Sequence, residues 1–76
     1  MNNTVRRRVK QISEGLTMLK DQLEEIYDAE CEKRDNMEEN FSGTDRFADL
    51  ESACDSLEGG ISSIDDAINS LEDAIS

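Results

Sequence analysis

The sequence predicts an all-α fold: an antiparallel two-helix hairpin, or coiled coil, that dimerises into a four-helix bundle. Two apolar seams with a mean spacing of 3.5 residues, separated by one turn-like segment, indicate this fold. The first seam is Val5, Val9, Ile12, Leu16, Leu19, Leu23 and Ile26. The second seam is Phe47, Leu50, Cys54, Leu57, Ile61, Ile64, Ile68, Leu71 and Ile75. The chain contains no proline that would interrupt either helix.

We expect a single helical-hairpin domain over residues 1–76. Its expected parts are a first helix over about residues 4–36, a turn over about 37–43 and a second helix over about 44–76. Candidate N-caps are Asn3 or Thr4 for the first helix and Ser42 or Thr44 for the second. The side-chain oxygens of these residues can accept hydrogen bonds from the free N–H groups of a helix start.

The second helix repeats every seven residues, so heptad letters can be assigned to it. With Cys54, Ile61, Ile68 and Ile75 at position a, position d holds Leu50, Leu57, Ile64 and Leu71. Position g then holds a column of small residues: Ala53, Gly60, Ala67 and Ala74. The repeat keeps its phase through Gly59 and Gly60, which predicts one continuous helix.

A lone hairpin covers only one side of each seam, and an apolar stripe three positions wide requires a second layer of helices. Small residues beside a seam permit the close approach of such a layer. The candidate dimer face therefore consists of small residues from both helices: Gly15, Ala29, Ala53, Gly60, Ala67 and Ala74. The predicted assembly is a homodimer of two hairpins.

Folding the chain back near residue 40 aligns the two seams layer by layer. Val5 then lies opposite Ile75 and Ile26 opposite Cys54, and in all seven layers the two residue numbers add to 80. The charged neighbours in this register are Arg6 with Glu72 and Lys20 with Glu58. Near the turn the first seam weakens. The buried stripe of the first helix is expected to shift by one residue there, as indicated by Tyr27, Cys31 and Arg34.

The chain has 19 acidic residues, 8 basic residues and no histidine, for a net charge of −11. This charge argues against direct binding to nucleic acid or to an anionic membrane surface, because phosphate groups would be repelled. Residues 1–36 carry 8 acids and 7 bases, whereas residues 37–76 carry 11 acids and 1 base. The second helix is therefore a negatively charged rod.

The charge of this rod can serve solubility alone, or it can form a surface for a basic partner. The candidate partner-binding acidic face is Glu51, Asp55, Glu58, Asp65, Asp66, Glu72 and Asp73. The first hypothesis is a small non-enzymatic protein that acts by protein–protein interaction. The alternative is an acidic inhibitor that mimics nucleic acid and blocks a basic nucleic-acid-binding site on another protein.

The sequence contains no catalytic constellation. Histidine, the commonest general base and metal ligand, is absent. Cys31 and Cys54 are expected to be free thiols in the core, about a helical turn apart, rather than a redox pair. We therefore expect no enzyme activity, no catalytic residue, no cofactor and no metal. With no signal-peptide core and no long apolar run, we expect a cytoplasmic protein that does not bind membranes.

The central segment combines a polar turn with the start of the acidic heptads. It reads Asp35-Asn36-Met37-Glu38-Glu39-Asn40-Phe41 and then, after two residues, Thr44-Asp45-Arg46. These residues resemble a group of small acidic helical-hairpin proteins of unassigned function from bacteria and their phages or prophages, which usually have proline in place of Glu38. The resemblance implies a hairpin, a phage or prophage setting (hence the host cytoplasm) and no catalytic site. In that setting, the alternative function is a phage-encoded inhibitor, of anti-CRISPR or anti-restriction type, that acts on a host protein. The resemblance also makes residues 36–41 a second candidate contact surface.

Overall fold

The computed structural model of the protein consists of two α-helices, α1 (Asn3–Phe41) and α2 (Asp45–Ile75), which pack against each other in opposite directions. The structure describes the backbone of residues 1–41 and 45–76 and the side chains of residues 1–37 and 45–76. The hairpin is a rod of 57 × 15 × 14 Å with a radius of gyration of 17.2 Å. A compact chain of this length would have a radius of gyration of about 11 Å. The predicted all-α, two-helix hairpin is confirmed.

The N-terminus of α1 is capped by a residue other than the expected ones. The backbone N–H of Val5 donates a hydrogen bond of 2.9 Å to Oδ1 of Asn2. This contact satisfies one of the free N–H groups of the first turn, so Asn2 is the N-cap in place of Asn3 or Thr4.

The C-terminus of α1 lies beyond its expected end. The helix was expected to stop at about residue 36, but it continues to Phe41. Residues 37–41 contain neither proline nor glycine, and methionine and glutamate are good helix formers, so this segment holds no stop signal. α1 therefore has 39 residues and α2 has 31, rather than two helices of equal length. The candidate N-caps Ser42 and Thr44 lie outside the described residues.

The seam predicted for α2 is confirmed along its whole length, since all nine of its residues are buried or half-buried. Cys54 is 1% exposed and Ile68 is 6% exposed, and these two residues are the buried apolar centre of the described core. The helix also runs unbroken through Gly59 and Gly60, as predicted. Each of these glycines costs the helix about 1 kcal/mol relative to alanine.

The seam predicted for α1 is confirmed at three of its seven residues. Val9, Leu16 and Leu23 are half-buried, as expected. The other four predicted seam residues are 40–59% exposed: Val5, Ile12, Leu19 and Ile26. The buried or half-buried residues that replace them are Ser13, Lys20, Tyr27 and Arg34. We assign this second set to position a and Val9, Leu16 and Leu23 to position d, which puts the four exposed apolar residues at position g.

The layers between the helices are also shifted from the predicted register. Nζ of Lys20 lies 3.0 Å from Oδ1 of Asp65, rather than near Glu58. Glu58 instead lines the same groove as Tyr27. The residue numbers add to 85 in the pair Lys20–Asp65 and in the pair Tyr27–Glu58, whereas the numbers of the predicted pairs add to 80. The pairing is thus displaced by more than one helical turn.

The first residues of α1 extend past the end of α2 as a consequence of this shift. Residues 1–8 are all exposed and have no residue of α2 at their level. This overhang carries Arg6, Arg7 and Arg8. In the part of the chain whose side chains are described, Arg6 forms no ion pair, so the predicted contact with Glu72 is absent.

The position of the turn explains the register. In a hairpin, the numbers of opposite residues add to about twice the midpoint of the turn. The midpoint between Phe41 and Asp45 is residue 43, rather than the expected 40, so the pairing must shift towards higher numbers. Near the turn, Tyr27 and Arg34 face α2, and Lys20 and Ser13 continue the same seven-residue series along the buried face of α1. The one-residue shift expected only near the turn therefore extends back to Ser13.

A double-mutant cycle tests this register. We expect Lys20→Met and Asp65→Asn to be coupled in urea denaturation, because their charged groups form a direct hydrogen bond in the hairpin. The matched cycle of Lys20→Met with Glu58→Gln should show weaker coupling. Equal coupling in the two cycles, or a stronger coupling to Glu58, would contradict the register.

The same cycle has a defined pH dependence. The hydrogen bond with Asp65, followed by Coulombic attraction to the same carboxylate, raises the pKa of Lys20 above its ordinary 10.5. Because the pKa is raised on folding, the stabilisation is present below pH 10.5 and is lost as pH rises through the folded-state pKa. We therefore expect the coupling between Lys20 and Asp65 to be unchanged from pH 7 to 9 and to vanish at higher pH.

Candidate functional site

The seam contains a charged residue near the middle of the hairpin. Lys20 occupies position a, and its side chain is 22% exposed, compared with 51% for Asp65. A lysine at a single position a selects register at a cost in stability. The ion pair with Asp65 offsets part of that cost only in the observed register. Lys20 thus favours the orientation of α1 in which Leu19, its neighbour in sequence, is exposed.

Two thiols meet near the turn end of the hairpin. Cys31 is half-buried, Cys54 is fully buried, and both are free. Burial raises the pKa of the Cys54 thiol, and the adjacent Cys31 is the second cause. Cys31 also raises the pKa of the Tyr27 hydroxyl. The two cysteines are therefore neighbours, not a turn apart as expected, and Cys54 is held in its unreactive thiol form.

One long side of the hairpin, which we call the acidic side, carries the e positions of both helices. In an antiparallel pair, the e positions of the two helices flank the same side of the seam, and the g positions flank the other. Glu24 of α1 and Glu58 of α2 both occupy position e, and they line one shallow groove of about 300 Å³. The other residues of the groove are Tyr27, Asp28, Ile61 and Ser62.

The candidate acidic face lies on this same side. Its seven residues occupy positions e, b and f of α2, which are adjacent around a helix: Glu51, Asp55, Glu58, Asp65, Asp66, Glu72 and Asp73. All are exposed except Asp65, which is half-buried beside Lys20. The structure therefore brings the predicted acidic residues onto one continuous surface.

The opposite long side, which we call the apolar side, carries the g positions of both helices. On α1, the g positions before Lys33 form the apolar stripe: Val5, Ile12, Leu19 and Ile26, which are 40%, 59%, 54% and 51% exposed. From first to last, this stripe is about 31 Å long at 1.5 Å per residue. A helix that packs against only one neighbour does not need apolar residues at position g. The exposed stripe therefore shows that a single hairpin leaves much of the apolar surface of α1 uncovered.

The small residues predicted to form a dimer face lie on the same apolar side. The column at position g of α2 is exposed throughout: Ala53, Gly60, Ala67 and Ala74. Gly15 and Ala29 occupy position c of α1, next to the apolar stripe, with Gly15 half-buried and Ala29 exposed. Apart from the backbone of its own helix, a Cβ placed on Gly15 or on Gly60 would have no heavy atom within 4 Å. The hairpin thus leaves open space on this side.

The apolar stripe was missed as a surface because its residues also fit the seam. Val5, Ile12, Leu19 and Ile26 are seven residues apart, and so are the residues that replace them in the core. The available signal was Tyr27, which lies one residue after Ile26 and belongs to a second seven-residue series with Lys20 and Arg34. Of the candidate turn surface at residues 36–41, Asn36 is exposed and Met37 is half-buried, and the side chains of 38–41 lie outside the described ones.

The exposed area agrees with an incomplete core. The hairpin has a solvent-accessible surface of 5619 Å². A compact monomer of 8.5 kDa would expose about 4,700 Å². Over the described side chains, the buried residues are Ser13, Cys54 and Ile68, and of these Cys54 alone is fully buried.

The described residues hold no group of three or more cysteine or carboxylate side chains placed to bind a metal ion. Neither α1 nor α2, over its described residues, has an apolar stretch sufficient to cross a membrane. Searches of protein families, of curated proteins and of solved structures find no match to this chain.

The two cysteines give a direct test of the packing. In the native protein at pH 8, we expect one thiol per chain, Cys31, to react readily with a chromogenic disulfide reagent. Cys54 should react only after denaturation, because it is 1% exposed and its pKa is raised. The Cys31→Ser variant is the control, and it should show almost no native reactivity. Rapid reaction of two thiols in the native wild type would show that α2 is not packed as described.

Proposed function

We propose that this protein is a non-enzymatic helical hairpin that acts by protein–protein interaction and works as a homodimer, with two hairpins forming a four-helix bundle. The observation that carries the proposal is the apolar stripe at position g of α1, which α2 does not cover. Apolar residues at positions d and g indicate a helix with two neighbours, of which α2 is one.

The size of the hairpin also supports self-association. A core that buries so few residues rarely supplies more than about 3–5 kcal/mol in a chain of this length, and small domains often gain the remainder from oligomerisation. The long face of the rod, 57 by 15 Å, amounts to roughly 850 Å², which is close to the ~800 Å² that each partner contributes to a standard interface. A dimer that uses the whole apolar side would therefore have an ordinary interface.

A lysine in the apolar stripe tests the proposed dimer. We expect wild-type protein to have twice the mass of the chain in light scattering at micromolar concentration, and Leu19→Lys to be monomeric. Removing two leucines from a dimer interface costs about 3–6 kcal/mol, a weakening of at least about 100-fold in the dissociation constant. Circular dichroism should show that the variant keeps its helices, since Leu19 does not face α2.

Met18→Lys is the matched control, because Met18 is adjacent in sequence and 65% exposed but lies at position f, outside the apolar stripe. This variant should remain dimeric. A wild-type protein that stays at 8.5 kDa at all concentrations would rule out the homodimer. Equal effects of the two lysines would show that the apolar stripe is not the contact surface.

The acidic side favours a second candidate function. Seven carboxylates of α2 lie on one continuous surface that points away from the apolar side, so they remain available in a dimer. We propose, as the alternative, an acidic inhibitor that occupies a basic nucleic-acid-binding site on a host protein. The phage or prophage setting of this proposal rests on the resemblance of the turn segment and the acidic heptads to small acidic hairpin proteins.

Charge reversal on α2 tests this alternative. Immobilised protein should retain a basic nucleic-acid-binding protein from a bacterial lysate at low salt and release it at high salt or with added DNA. The triple variant Asp55→Lys, Asp66→Lys, Asp73→Lys should lose this binding. The control places the same charge change on exposed residues of α1: Glu14→Lys, Glu25→Lys and Glu32→Lys. Loss of binding in both variants to the same extent would indicate a general charge effect and contradict a specific acidic face.

A further inference from the structure

The apolar side is asymmetric, and this asymmetry specifies how a second copy would be placed on it. α1 contributes the large residues of the apolar stripe, whereas α2 contributes small residues at position g. The neighbouring position c of α2 holds Asp49 near the turn and then the small residues Ser56, Ser63 and Ser70. The side therefore consists of a ridge along α1 and a shallow groove along α2.

We infer that the occupant of the apolar side is a second copy of this chain, placed so that α1 of each copy lies on α2 of the other. This inference rests on the proposed function and adds the geometry of the dimer. The ridge of one copy then fills the groove of the other on both halves of the interface. The open space at Gly60, where a Cβ would meet nothing within 4 Å, receives a large side chain of the second copy.

Charge selects the same arrangement. Over its own bounds, α1 carries 10 acids and 7 bases, for a net charge of −3, and α2 carries 9 acids and 1 base, for a net charge of −8. Placing α1 on α2 of the second copy separates the two strongly acidic helices to opposite corners of the bundle. The other two-fold arrangement places α2 directly on α2 along its whole length, which brings like charges together. It also places ridge on ridge and groove on groove, which leaves the small residues unfilled.

The chosen arrangement has a definite polarity. For α1 of each copy to lie on α2 of the other around a two-fold axis, that axis must run along the rod, so both turns lie at the same end. Every helix is then antiparallel to its two neighbours. The overhangs that contain Val5 also lie together, at the end away from the turns. In the other arrangement, Val5 of one copy would lie near the turn of the second copy.

Thiol cross-linking distinguishes the two arrangements. Val5→Cys in a Cys31→Ser background should be joined to itself in a covalent dimer by a short bis-maleimide, because the two overhangs are adjacent. Cys54 does not interfere, since it is 1% exposed. In a mixture with a mass-tagged Asn36→Cys, Cys31→Ser chain, Val5→Cys should not be joined to Asn36→Cys, because the two positions are about 46 Å apart along α1. The Cys31→Ser chain alone is the control and should give no covalent dimer.

The outcomes separate this inference from the proposed function. A dimer in light scattering with cross-links between two Val5→Cys chains supports both. A dimer in which Val5→Cys is joined to Asn36→Cys overturns the inferred arrangement and leaves the homodimer standing. A monomer in light scattering, with no covalent dimer in any mixture, overturns the homodimer and the inference with it.

Discussion

The exposed surface of α1, and with it the apolar side of the hairpin, depends on which face of α1 packs against α2. With Ser13, Lys20 and Tyr27 turned towards α2, the apolar residue that precedes each of them in sequence is turned out to solvent. A rotation of α1 by one heptad position would bury Leu19 and Ile26 and expose Lys20, and the apolar side would disappear. The orientation is held by the ion pair of Lys20 with Asp65 and by the side chains that pack near the turn.

The hairpin is divided into two sides of opposite chemistry by this packing. The e positions hold the carboxylates of α2 together with Glu24 of α1, and the g positions hold apolar and small residues, except for Lys33 and Arg46 near the turn. A surface helix with one neighbour has an apolar stripe that points at that neighbour. The stripe of α1 points between α2 and open solvent, which is the arrangement found in helices of a four-helix bundle. The proposed dimer thus follows from the direction of the stripe rather than from the number of exposed apolar residues.

Much of the fold could be predicted from the sequence, and the errors share one origin. The seam of α2 was predicted in full, because its a and d residues are apolar and its flanking columns are small or acidic, so no competing phase exists. α1 has two seven-residue series that could face α2, and they differ by one residue. The hydrophobic pattern favours Val5, Ile12, Leu19 and Ile26, whereas the structure buries the other series. The second error, the register, followed from the turn: residues 37–41 carry no seam, but they also carry no helix stop. The positions of the acidic residues around α2 depend only on the seam of that helix, so the errors in α1 and in the register do not change them.

In the proposed dimer, the apolar side of each hairpin is buried by a second copy lying alongside it. Small-angle X-ray scattering measures mass and shape in the same experiment. We expect a particle of twice the chain mass whose radius of gyration is only slightly larger than the 17.2 Å of one hairpin, because side-by-side packing thickens the rod without lengthening it. A particle with the mass of a single chain at all concentrations, or a dimer of nearly twice the length, would contradict this proposal.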